Sequence, residues 1–171
     1  GEGLYHPLIP EAVGNDFHMT ASSLITGANA SGKSTFMKAL AINVILAQTL
    51  HTCAAQALSL PRLAVMTSMA VRDDLLSGES YYIREVKYLK RMLDAVDLGI
   101  PVLCVIDEIL KGTNTRERLA ASEAVLQYFS GRNCLTLAAT HDMELVEKLH
   151  RQYDCYYFES RMEEQDIRFD Y

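Results

Sequence analysis

Nine consecutive residues from Gly27 to Thr35 read G-A-N-A-S-G-K-S-T, a complete G-x-x-x-x-G-K-[ST] phosphate-binding loop. The motif constrains the fold because it works only between a strand and a helix. Ahead of it, Ser23-Leu24-Ile25-Thr26 reads as a buried strand; behind it, Phe36-Met37-Lys38-Ala39-Leu40-Ala41 reads as the opening of a helix. Gly27 and Gly32 let the backbone curl, so that the N–H groups of Ala28, Asn29, Ala30 and Ser31 can point inward at a polyphosphate. The positive end of the following helix favours the same anion. Lys33 is placed to reach β- and γ-phosphates, the Ser34 hydroxyl to ligate Mg²⁺, and Thr35 closes the motif. A chance Gly/Ser-rich turn is the bland alternative, and it leaves the flanking strand and helix unexplained. The loop predicts a nucleoside triphosphate site.

Such a site needs an acid, and the chain offers one. The run Val102-Leu103-Cys104-Val105-Ile106 ends in Asp107-Glu108. Asp107 is the candidate for holding Mg²⁺, and Glu108 for orienting and polarising the attacking water. Alone, two acids at a strand end serve equally well as a helix cap or a solvated turn. A third element follows at Thr140-His141-Asp142, beyond the apolar run Leu135 to Ala139. Ligands of open parallel sheets collect at the carboxyl ends of strands, so His141 is a candidate γ-phosphate sensor. The competing reading makes Thr140 or Asp142 a helix cap and His141 incidental.

Between these motifs lies Asp73-Asp74-Leu75-Leu76-Ser77-Gly78-Glu79-Ser80-Tyr81-Tyr82. Ser77 or Ser80 is a candidate N-cap for a helix whose apolar stripe is Ile83, Val86, Leu89, Met92 and Leu93. A polar Ser-Gly-x-Ser turn at a helix start is a second anion-directed feature in a chain with one phosphate loop. It therefore suits the site of a neighbouring protomer, or simply caps the helix. Gly112-Thr113-Asn114-Thr115 has the same character and would cap the helix from Arg116.

The chain has 171 residues, four cysteines and a formal net charge of −6. That length suits one domain, 1–171, with a proper core. The negative balance argues against gripping a nucleic-acid backbone unaided. No apolar stretch is long enough for a membrane span, and no signal-peptide pattern opens the chain. Cys53, Cys104, Cys134 and Cys155 form no C-x-x-C pair; Cys104 and Cys134 read as small core residues, and a reduced, cytoplasmic setting is expected. Strands are expected at Phe17–Met19, Ser23–Thr26, Leu63–Thr67, Val102–Ile106, Leu135–Ala139 and Cys155–Phe158. Helices are expected over Ser34–Leu50, Glu79–Val96, Arg116–Phe129 and Met143–His150. The alternation predicts an α/β fold with a mostly parallel central sheet flanked by helices. The tail Gln165-Asp166-Ile167-Arg168-Phe169-Asp170-Tyr171 alternates like a strand and stops without a cap, as a fragment of a longer protein would.

Taken in order, His6-Pro7-Leu8-Ile9, Asn15-Asp16, Thr26 to Thr35, Ile45-Leu46-Ala47-Gln48, Asp73 to Ser80, Asp107-Glu108, Gly112 to Thr115 and Ala139-Thr140-His141 resemble the ATPase domain of the MutS family of DNA mismatch-repair proteins. The resemblance implies a P-loop NTPase of ABC type and ATP as ligand. It also implies a homodimer with two composite ATP sites, each completed in trans by Ser80. Asn29 becomes a phosphate contact, Ser34 a Mg²⁺ ligand, Glu108 the base and His141 the γ-phosphate contact. Val13 and Phe17 are candidates for adenine, or core residues on the bland reading. DNA would be held by domains outside this fragment, and no membrane contact is expected. The family loop typically reads G-P-N-M-G-G-K-S-T, the turn after the acids I-G-R-G against Ile109-Leu110-Lys111-Gly112 here, and Tyr81-Tyr82 replaces a Thr-Phe pair. These departures imply a divergent bacterial MutS-like subfamily rather than the main repair enzyme.

The expected function is ATP hydrolysis that switches a DNA-bound dimer between states. Two alternatives stay open. An ABC- or SMC-type motor is suggested by Leu76-Ser77-Gly78-Glu79, an echo of an L-S-G-G signature, although the interval from Ser34 to Ser77 is short for a transporter's helical insert and no heptads announce coiled-coil arms. A nucleotide-gated dimerisation module with little turnover is the non-enzymatic alternative.

Overall fold

The computed structural model describes residues 1–69 and 81–159. In chain order the elements are β1 (Ser23–Gly27), α1 (Lys33–Thr49), β2 (Ala64–Ser68), α2 (Tyr81–Asp97), β3 (Val102–Asp107), α3 (Thr115–Ser130), β4 (Cys134–Ala139), α4 (Met143–Leu149) and β5 (Asp154–Phe158). The five strands form one sheet in the order β2-β3-β4-β1-β5, and every neighbouring pair is parallel. Parallel strands require crossovers, and four helices supply them.

Alternation along the strands divides the core into two layers. On one side, Ile25, Leu103, Val105, Leu137 and Ala139 meet Phe36, Met37, Leu40 and Val44 of α1. On the other, Leu24, Val102, Cys104, Ile106 and Ala138 meet Leu89, Met92 and Val96 of α2, Leu126 and Phe129 of α3, and Leu145 and Leu149 of α4. Helices covering both faces explain why the central strands carry no polar alternation. Two polar side chains of α1 fasten its surroundings. Asn43, fully buried, donates to the carbonyls of Tyr5 (3.0 Å) and Ala39 (2.9 Å) and accepts from the Ala54 N–H. Gln48 brackets the backbone of Leu63, donating to its carbonyl at 3.0 Å and accepting from its N–H at 2.7 Å.

One expected strand is absent. Phe17–Met19 does not pair with the sheet. Its backbone pairs with the chain's first residue instead, Phe17 N–H donating to the Gly1 carbonyl at 2.8 Å and the Phe17 carbonyl accepting from the Gly1 amino group at 2.6 Å, while its side chains meet the sheet and α1. Phe17 meets Phe36 edge-on at 5.0 Å and Tyr156 at 5.2 Å between ring centroids. The expected helix start at Glu79, the caps at Ser77 and Ser80, and the tail strand from Gln165 to Tyr171 lie outside the described residues. Cys104 is buried as expected, and Cys134 is half-buried. The two sulfurs lie 3.5 Å apart on adjacent strands. Among the described residues, no helix is long and apolar enough to cross a membrane.

Candidate active site

The sheet register sets the site. Ile25 of β1 is partnered with Ala139 of β4, and Ala139 with Asp107 of β3. These three residues form one row across the sheet, so the loops that follow them leave from the same level. Two further hydrogen bonds extend the row, Glu108 N–H to the Ala139 carbonyl at 3.1 Å and Thr140 N–H to the Ile25 carbonyl at 3.0 Å.

The loop after β1 depends on left-handed backbone at Gly27 (φ 138), Ala30 (φ 63) and Gly32 (φ 90). Gly27 also passes so close to the Phe158 carbonyl of β5 that a side chain there would collide with it. Lys33 opens α1 and folds back over the loop. Its ammonium donates to the carbonyls of Gly27 (2.8 Å) and Ala28 (2.5 Å) and lies 3.5 Å from the Ser31 hydroxyl, leaving Lys33 8% exposed. The Ser34 hydroxyl donates to the Asp107 carboxylate at 2.6 Å. The two residues expected to hold Mg²⁺ therefore meet. Both offer hard oxygen donors, the type Mg²⁺ prefers, and leave further positions to water and phosphate. That donor set fits the ion.

Glu108 sits in left-handed backbone, φ 59, as does Leu110, φ 56, which bulky side chains rarely adopt. Burial of Ile109 and Leu110 pins this turn from below. One carboxylate oxygen of Glu108 lies 3.2 Å from Lys111 Nζ, the other 3.2 Å from His141 Nδ1. Burial acts to raise the Glu108 carboxyl, but the hydrogen bond and charge of Lys111, then those of His141, outweigh it and hold it below the ordinary range. Asn29, Lys33, Ser34, Asp107, Glu108 and Lys111 line one cavity of about 280 Å³. His141 reaches Glu108 and is half exposed, but it does not line that cavity. Ser80 lies outside the described residues. Val13 is exposed, whereas Phe17 packs against Phe36 and Tyr156.

Asn114 caps α3, its side chain accepting from the Glu117 N–H at 3.0 Å, and the Thr113 hydroxyl donates to the Glu117 carboxylate at 2.7 Å. Asp142 stands at the N-cap position of α4 but makes no capping bond. Its carboxylate is held by Arg118 of α3.

Comparison with known proteins places these features in a family. A family model described as MutS domain V matches residues 23–171. The chain belongs to the MutS family. It is 38% identical over 131 residues to the DNA mismatch repair protein MutS of Streptococcus equi subsp. equi (strain 4047), a match covering 75% of this chain and 15% of that protein. Against the MutS of Streptococcus mutans serotype c it is 36% identical over 141 residues, 81% of this chain and 16% of the relative. Against that of Streptococcus pyogenes serotype M5 the figures are 37%, 81% and 16%. The chain thus spans about a sixth of the length of the MutS relatives it matches.

These matches correct the placement in a divergent MutS-like subfamily. The matching model is MutS domain V itself, and these relatives carry the name of the mismatch-repair protein. The substitutions that suggested divergence, in the loop after β1, at Leu110 and Lys111, and at Tyr81-Tyr82 of α2, lie inside the span that the MutS domain V model matches. Two site residues escaped the sequence reading, Lys111 and Arg118. The signal for Lys111 was its position three residues after Glu108. Arg118 had no local signal, because its partner lies 24 residues away.

Proposed function

We propose that this MutS domain V binds and hydrolyses ATP, with the P-loop architecture of ABC-type ATPases, and that its cycle switches a DNA-bound dimer between states. One observation carries the reading: the Ile25–Ala139–Asp107 row delivers Lys33, Ser34, Asp107 and Glu108 to a single cavity. Backbone N–H groups from Ala28 to Gly32 cradle the phosphates, and the N-terminus of α1 supports their charge. Lys33 neutralises charge on the transferred group. Ser34 and Asp107 would hold Mg²⁺, which supplies further neutralisation of phosphate charge when bound. Glu108 orients the attacking water and accepts its proton. His141, which meets Glu108 from outside the cavity lining, is the proposed sensor of the γ-phosphate, and Ser80 is the proposed contribution to the site of the opposite protomer. DNA is held by other parts of the protein.

The engagement of both Glu108 oxygens favours a second reading, a nucleotide-gated dimerisation module with little turnover. Steady-state phosphate release separates the two. An ATPase completed by dimerisation gives a rate rising with the square of protein concentration. It also gives a Glu108→Ala variant that binds ATP without turnover and a Lys33→Ala variant that does not bind. A flat, near-zero rate with tight binding supports the passive module. Unchanged hydrolysis by Glu108→Ala refutes the assignment of the base.

A further inference from the structure

Among the described residues, Lys33 and Lys111 are the cations lining the phosphate cavity, and they are held very differently. Lys33 is buried and bonded to the loop's own carbonyls, so its position is fixed by the fold. The Lys111 side chain is 40% exposed, and its contact in the cavity is the Glu108 carboxylate at 3.2 Å. An ion pair this exposed contributes little and is readily exchanged. A terminal phosphate, with more charge and three acceptor oxygens, competes well for such an ammonium. The turn between the two residues is built for this juxtaposition. Left-handed backbone at Glu108 and Leu110, with Ile109 and Leu110 buried as anchors, brings positions 108 and 111 to the same cavity. Strained backbone held by packing is a mark of functional positions.

We propose that Lys111 is a phosphate ligand of this site, its ammonium exchanged between the Glu108 carboxylate and the terminal phosphate of a bound nucleoside triphosphate. The inference rests on the nucleotide-site reading above and adds to it a reason for the site to tell triphosphate from diphosphate. Transfer of Lys111 to the phosphate leaves one Glu108 oxygen open to water. The carboxylate is thereby made available only when the terminal phosphate is present.

The test is equilibrium binding of Mg²⁺ complexes of ADP and of a non-hydrolysable ATP analogue to the unmodified protein and to Lys111→Gln and Lys111→Arg. Loss of one charge-assisted contact predicts that Lys111→Gln weakens the analogue about tenfold while ADP changes less than about twofold. Lys111→Arg retains most of the preference. An equal loss for both nucleotides, or no loss for either, overturns the proposal. If the unmodified protein binds neither nucleotide, the nucleotide-site reading falls, and this inference with it. Matching thermal melting curves for the three proteins show that folding is not the variable.

Discussion

The Arg118 guanidinium grips the Asp142 carboxylate with two hydrogen bonds, Nε to Oδ2 at 3.2 Å and Nη2 to Oδ1 at 2.9 Å. The pair joins α3 to the first residue before α4, directly after His141. With side chains 16% and 17% exposed, it is shielded enough to matter. Planar two-point pairing of this kind holds orientation as well as charge. Asp142 gives up its capping role for it.

Removal of that pair has a predictable signature. Arg118→Ala should destabilise the fold by about 2 kcal/mol, since it strips a charge-assisted contact and leaves a half-buried carboxylate behind. Part of the loss is recovered if Asp142 then caps α4. A double-mutant cycle with Asp142→Asn by urea denaturation measures the coupling; a coupling near zero shows that the pair is ornamental.

Gly27 and Gly131 should respond oppositely to alanine. Gly27 combines φ 138 with a collision between any Cβ and the Phe158 carbonyl, so Gly27→Ala should lose more than about 3 kcal/mol or fail to accumulate as folded protein. Gly131 has φ −94 and open space around it, so Gly131→Ala should be neutral or stabilising by up to about 1 kcal/mol. Chemical denaturation of both variants decides the matter. A well-folded Gly27→Ala protein contradicts the close approach of β1 and β5.

The thiols should titrate apart. The hydrogen bond from Cys104, aided by the Thr136 hydroxyl and opposed by burial, lowers Cys134 to about 7. Its bond to Cys134 and its burial keep Cys104 protonated throughout, while burial and Asp154 raise Cys155. Below its midpoint Cys134 is a thiol, and above it a thiolate, the form that attacks. Alkylation by iodoacetamide, followed by peptide mapping, should therefore show a Cys134 rate rising through a midpoint near pH 7, below that of Cys155. The reverse order contradicts the paired-sulfur geometry.

Much of the architecture could be read from local chemistry. Unbroken apolar runs at Val102–Ile106 and Leu135–Ala139 marked strands covered on both faces, and Asn114 stood where a capping residue belongs. Phe17–Met19 misled because its composition suits a strand, while the backbone partner of Phe17 is Gly1, 16 residues away, and not a strand of the sheet. In the site, the motifs were legible because Lys33 and Ser34 open α1 and Asp107 and Glu108 follow the body of β3. The bond from Ser34 to Asp107 spans 73 residues, and their meeting was legible because both motifs were assigned to one metal ion. The bond from Arg118 to Asp142 spans 24 residues, and no motif linked the two.

The placement of β1 between β4 and β5 carries a consequence for biosynthesis. A ribosome releases the loop from Gly27 to Thr35 early, yet the strands that flank β1 emerge far later: the Ser22 hydroxyl waits 114 residues for the Thr136 N–H from which it accepts. Until then β1 has two unpaired edges and an apolar face, the features that recruit chaperones or neighbouring chains. A nascent chain halted before Cys134 should carry the loop from Gly27 to Thr35 and the Asp107-Glu108 pair with neither neighbour of β1 in place, and on the function proposed above it should hold no nucleotide.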